Sequence, residues 1–71
     1  MNNLSVYPNP ANSTLNIEVK TATSIKIVDL LGATVAVQEL NAGTNRIDVS
    51  NLISGVYFVQ AGSSVVKFIK E

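Results

Sequence analysis

Few residues in this chain could do chemistry. Five carboxylates, Glu18, Asp29, Glu39, Asp48 and Glu71, stand in a sequence with no His and no Cys. Hydrolysis of a glycoside needs two carboxylates facing each other across a cleft. Nucleophilic catalysis usually pairs a hydroxyl or thiol with a base such as imidazole, and zinc sites draw mainly on Cys and His. Glu18 and Asp48 fall on outward positions of alternating segments, Asp29 on a turn and Glu71 at the end of the chain. The carboxylates are therefore expected to be dispersed. The chain is expected not to be an enzyme and to hold no metal or cofactor.

Three shorter patterns bear on partners. Asn12-Ser13-Thr14 matches the N-glycosylation acceptor, but Asn-Ser is also turn chemistry, and the turn is the preferred reading. Pro8-Asn9-Pro10 has the composition of a ligand for a proline-binding groove. It is better read as a strand terminator, because Pro8 has no N–H and Pro10 forces Asn9 into an extended conformation. Lys67 and Lys70 suit either contact with a partner or the solvated side of an edge strand, where lysine blunts aggregation. Five basic residues balance the five acidic ones, which argues against a nucleic-acid partner. Nothing points to a small-molecule substrate, and the oligomeric state is left open.

These residues must be positioned by strands, since no window supports a long amphipathic helix. Leu52-Ile53-Ser54-Gly55-Val56-Tyr57-Phe58-Val59 is the organising stretch. Gly55 suits a bend, and the four residues after it are strong strand formers. Four in a row predict a strand covered on both faces, in the middle of a sheet, with Tyr57 and Val59 facing one way and Val56 and Phe58 the other. Leu52-x-x-Gly55-x-Tyr57 also has the spacing of a tyrosine corner, in which the Tyr hydroxyl binds backbone just upstream.

The other strands are read from period-2 alternation. Leu4-Ser5-Val6-Tyr7 opens the chain. Thr14–Lys20 turns Leu15, Ile17 and Val19 inward, and Ser24–Asp29 turns Ile25 and Ile27 inward. Asp29-Leu30-Leu31-Gly32 reads as a tight turn, with Asp29 accepting backbone N–H groups and Gly32 closing it. Leu30 and Leu31 are expected to fold back over the end of the core; a contact surface is the alternative. Ala33–Glu39 is expected to bury Val35 and Val37, and Thr44–Val49 to bury Ile47 and Val49. Ser50-Asn51-Leu52-Ile53-Ser54 leads to the corner and is expected to hold one helical turn capped by Ser50. Ser64–Lys70 is the last strand. About seven short strands with regular turn signals predict an all-β fold, a small antiparallel sandwich. With 71 residues and no disulfide, that sandwich must rely on its apolar content of 46%. No apolar run approaches the ~20 residues that cross a bilayer. Met1-Asn2-Asn3 carries no basic start of a secretory leader.

In order, Val6-Tyr7-Pro8-Asn9-Pro10, Ile27-Val28-Asp29-Leu30-Leu31-Gly32, Ile47-Asp48-Val49-Ser50-Asn51-Leu52, Gly55-Val56-Tyr57-Phe58-Val59 and Lys67-Phe68-Ile69-Lys70 span almost the whole chain. This series resembles the C-terminal sorting domain of type IX secretion cargo of the Bacteroidetes, the Por secretion tail of type A. The family often carries an aromatic residue before the Asp of Asp-x-x-Gly and a polar residue in or after that turn. Here Val28, Leu30-Leu31 and Ala33 stand at those places.

The resemblance implies an immunoglobulin-like sandwich, a single domain over residues 1–71 with its structured core at about 4–70, and a larger exported parent protein. It implies a sorting signal recognised by the outer-membrane translocon. A sortase-like protease then removes the domain in many members, and the cargo is anchored at the cell surface or released. Tyr7, Pro8, Asn9, Pro10, Asp29, Gly32, Leu52, Gly55 and Tyr57 match the family's structural motifs, and Lys67, Phe68, Ile69 and Lys70 are the candidate contacts with the translocon. An edge strand there would offer unpaired backbone groups for a partner to extend the sheet. The alternative is a small non-catalytic binding or spacer module, carbohydrate-binding or fibronectin-like. The chain's only aromatic residues, Tyr7, Tyr57, Phe58 and Phe68, are mostly expected to be buried, which speaks against stacking on sugars.

Overall fold

A computed structural model describes residues 4–71 of the chain; Met1-Asn2-Asn3, and with them the reading of a leader's absence, lie outside the described residues. Seven strands follow in order: β1 Leu4–Tyr7, β2 Thr14–Val19, β3 Thr23–Asp29, β4 Thr34–Leu40, β5 Gly43–Asp48, β6 Gly55–Ala61 and β7 Ser64–Lys70. They form two antiparallel sheets, a three-stranded one ordered β1-β2-β5 and a four-stranded one ordered β4-β3-β6-β7. The sheets pack face to face as a small immunoglobulin-like sandwich.

The inner faces are built by simple alternation. Leu15, Ile17 and Val19 of β2 meet Ile25 and Ile27 of β3, Val59 of β6 and Phe68 of β7, and all are buried. Burying one such side chain stabilises the fold by about 1.5–3 kcal/mol. As the run of strand formers requires, β6 lies inside its sheet. Tyr57 and Val59 face the core, while Val56 and Phe58 are half-buried on the other side. The tyrosine corner forms: the Tyr57 hydroxyl donates to the Ile53 carbonyl at 2.5 Å. The Tyr57 ring stacks on Phe68 with centroids 5.6 Å apart. Gly55 enters the strand at φ +157°, just inside the range that L-residues rarely adopt.

Three local expectations are corrected. Val35 and Val37 face out, 41% and 61% exposed, and the partly buried Ala36 takes the inward place. The cause is one extra residue. In the β3–β4 hairpin Val28 pairs with Thr34 but Ile27 pairs with Ala36, so the register slips between them. Without that bulge Ile27 would face Val35 and Ile25 would face Val37, the arrangement that alternation alone suggests. A one-residue slip moves the side chains beyond it to the opposite face.

Leu30 and Leu31 do not fold back. They are 69% and 94% exposed at the hairpin tip. Of the aromatic residues, Tyr7 is 41% exposed. Finally, residues 50–52 make a turn and not a helical one, with the Leu52 N–H donating to the Val49 carbonyl at 3.0 Å. Its cap is Asp48, which accepts the Ser50 N–H at 2.9 Å and the Ser50 hydroxyl at 2.7 Å.

Candidate recognition surface

The last strand places its side chains by strict alternation. Phe68 is fully buried in the core, and Lys70 is buried at the strand's end with its ammonium donating to the Glu71 carbonyl at 3.0 Å. Lys67 and Ile69 point outward and are exposed. Of the four candidate contacts, two are therefore available on the surface of the folded domain, and two hold the strand in place.

The free edge of β7 is covered over this same stretch. The chain leaving β1 crosses beside it, and the Asn9 side chain acts as a short substitute for a neighbouring strand. Its Nδ2 donates to the Lys67 carbonyl at 3.2 Å, and its Oδ1 accepts the Ile69 N–H at 2.9 Å. Ala11 continues the pairing: its N–H donates to the Ile69 carbonyl at 2.7 Å and its carbonyl accepts the Glu71 N–H at 2.8 Å. Backbone groups expected to be open for a partner strand are thus occupied from Lys67 to Glu71. Pro8 and Pro10, both exposed, flank Asn9 and carry no N–H of their own.

The remaining motif residues hold turns. Asp29 Oδ1 accepts the N–H groups of Leu31 and Ala33 at 3.0 and 2.9 Å, and the Gly32 N–H donates to the Asp29 carbonyl at 3.0 Å. Gly32 takes φ +86°, a left-handed angle with a steric cost for other residues. Leu52 packs against the core beside the tyrosine corner. Asp48 is held below the ordinary aspartate value of 3.8, first by the Ser50 hydroxyl and second by the Ser50 N–H.

Outward-facing side chains of the four-stranded sheet form rows across the strands. One row runs Val37, Lys26, Gln60, Val65; the next runs Thr34, Val28, Phe58, Lys67; Val56 and Ile69 follow. Val28 is buried here, on the side away from the core, by its neighbours in the row. The carboxylates are scattered: Glu18 accepts from Thr44 at 3.0 Å, and Glu39 accepts from Ser24 at 2.6 Å. Among the described residues no three groups of metal-ligating type come together. Surface depressions, such as one of about 290 Å³ between Leu4, Val19, Thr21 and Ala61, collect no reactive set.

Two features escaped sequence reading. The Asn9 cap could not be inferred, because its partners lie 58 and 60 residues away. Asn45 staples the turn before β5: its Nδ2 donates to the Asn41 carbonyl at 2.8 Å, and its Oδ1 accepts the Asn41 N–H at 3.1 Å. The Asn-Ala-Gly-Thr-Asn spacing was the available signal for that staple.

No curated protein and no solved structure matches the chain. The profile of one family, described as "Secretion system C-terminal sorting domain", matches residues 5–71. That covers every strand but the first residue of β1. Such domains are sorting signals and not catalysts, and they mark a cargo protein for the outer-membrane surface or the extracellular space. The chain belongs to this family, the C-terminal sorting domains that engage the type IX secretion machinery.

Proposed function

We propose that residues 1–71 act as one unit carried by a larger exported protein, and that the machinery reads the unit as a folded surface. The observation that carries this reading is the division of side chains along β7. Phe68 and Lys70 anchor the strand, while Lys67 and Ile69 present a cation and an apolar group to solvent. Recognition by strand addition along Lys67–Glu71 would first require displacing Asn9 and Ala11. Contact through the outward side chains requires no such change. A sortase-like protease cutting ahead of Leu4 would release the domain with every strand of the described residues intact.

The experiment is a reporter fused ahead of this chain in a type IX-competent bacterium and in a strain lacking the translocon. Export is expected only when both domain and translocon are present. Export without either one sinks the reading. Mass spectrometry of the exported reporter is expected to find residues 4–71 removed; an exported reporter still carrying them discards the protease step alone.

A further inference from the structure

The two sheets treat their outer faces differently. On the three-stranded sheet the outward positions include Ser5, Tyr7, Asn16, Glu18, Arg46 and Asp48, nearly all polar. On the four-stranded sheet they include Val28, Val35, Val37, Val56, Phe58, Val65 and Ile69. Four of these are among the exposed large apolar residues: Val35 at 41%, Val37 at 61%, Val65 at 55% and Ile69 at 40%. The β4 bulge is what sends the first two outward. Bulges commonly re-aim side chains beside functional sites. The exposed apolar residues lie on the two outer strands, Val35 and Val37 on β4 and Val65 and Ile69 on β7, with Lys26, Gln60, the buried Val28 and the half-buried Phe58 between them. Apolar side chains left exposed together on one sheet face mark a contact surface.

The charges on this face select its partner. Lys26 and Lys67 sit within the apolar rows, and among the described residues neither forms an ion pair. Among the described residues the carboxylates at this face lie at its rim: Glu39, engaged by Ser24, and the exposed Glu71 just past β7. The central rows of a second copy hold no carboxylate to set against these lysines, which opposes self-association. We propose that the outer face of the four-stranded sheet, and not the strapped edge of β7, is the docking surface. Its occupant is an apolar protein surface of the export machinery carrying carboxylates opposite Lys26 and Lys67. This rests on the sorting reading above and extends the contact from the last strand across β6, β3 and β4.

The test uses the same reporter fusion. One variant carries Val37→Asp with Val65→Asp, a second carries Lys26→Glu with Lys67→Glu, and a control carries Thr44→Asp with Arg46→Glu on the other sheet. Thermal melts of the purified domain check folding, and the lysine pair covers the case in which the valine pair fails to fold. Export is expected to fall about tenfold in either face variant, equivalent to ~1.4 kcal/mol of lost docking free energy, and to be unchanged in the control. If the unaltered fusion is not exported, the sorting reading fails. If it is exported and folded face variants leave as efficiently, the docking surface is wrong while the sorting reading stands. Equal loss in the control also overturns it, as does a dimer of the purified domain that the face substitutions abolish without touching export.

Discussion

The inner faces of the two sheets are alike and their outer faces are not. Both inner faces are apolar and closed to water. Outside, the β1-β2-β5 sheet follows the usual rule for an antiparallel sheet with one wet side, whereas the β4-β3-β6-β7 sheet carries apolar side chains among polar ones on its outer side as well. The difference teaches that apolar content in a short chain need not all serve the core. Removing Val37 from water would stabilise the sandwich, yet the bulge leaves it exposed. The edges differ too. The β7 edge of the apolar sheet is strapped by Asn9 and Ala11, which blocks the strand-to-strand association that an apolar edge invites.

The contrast between inner and outer apolar residues is broken most severely at β7. Phe68→Ala should lower stability by about 3–5 kcal/mol, whereas Ile69→Ala, one residue on, should cost under about 1 kcal/mol. Denaturant melts of both variants check this. Similar losses would mean that the outer face is a second core. Next in size is the strap. Asn9→Ala removes two hydrogen bonds and bares the edge, for an expected loss of roughly 1–3 kcal/mol. Sedimentation should also detect concentration-dependent association that the unaltered domain lacks; a monomer of unchanged stability would show that the strap is idle.

Smaller effects sharpen the picture. Tyr57→Phe keeps the stacked ring and deletes only the bond to the Ile53 carbonyl, so a loss near 1 kcal/mol is expected. An unchanged melt would remove the corner bond from the account. The smallest effect belongs to Asp48, at the end of β5 in the polar sheet. Its folded pKa lies below 3.8, so its contribution is complete above that value and is lost as pH falls through the lower folded one. Melting temperatures taken down to about pH 2 should fall more for the unaltered domain than for Asp48→Asn. Parallel curves would show that the Ser50 contacts do not distinguish the two states of the carboxyl.

Much of this architecture was legible in the residues. β2 and β7 alternate cleanly, and the Leu52–Tyr57 spacing announced a corner whose bond spans four residues. The Asp29 turn was equally local. Misreadings arose where a local pattern had two tertiary solutions. Val35 and Val37 alternate as a buried face would, and only the register with β3 decides which face that is. Leu30 and Leu31 could cover the core or leave it, and the tip of the hairpin extends past it. The candidate contacts divided for the same reason: four consecutive residues of a strand cannot share a face.

By itself the sequence determined the class of fold, the number and approximate places of the strands, the Asp29 turn and the tyrosine corner, and the family to which the chain belongs. Each depends on interactions spanning a few residues or on a pattern repeated along the chain. Only the tertiary structure decided the strap of Asn9 on β7, the exposure of Val35 and Val37, and the division of Lys67–Lys70 into anchors and surface. These depend on pairing between segments distant in sequence. A single extra residue in one strand was enough to exchange inside for outside.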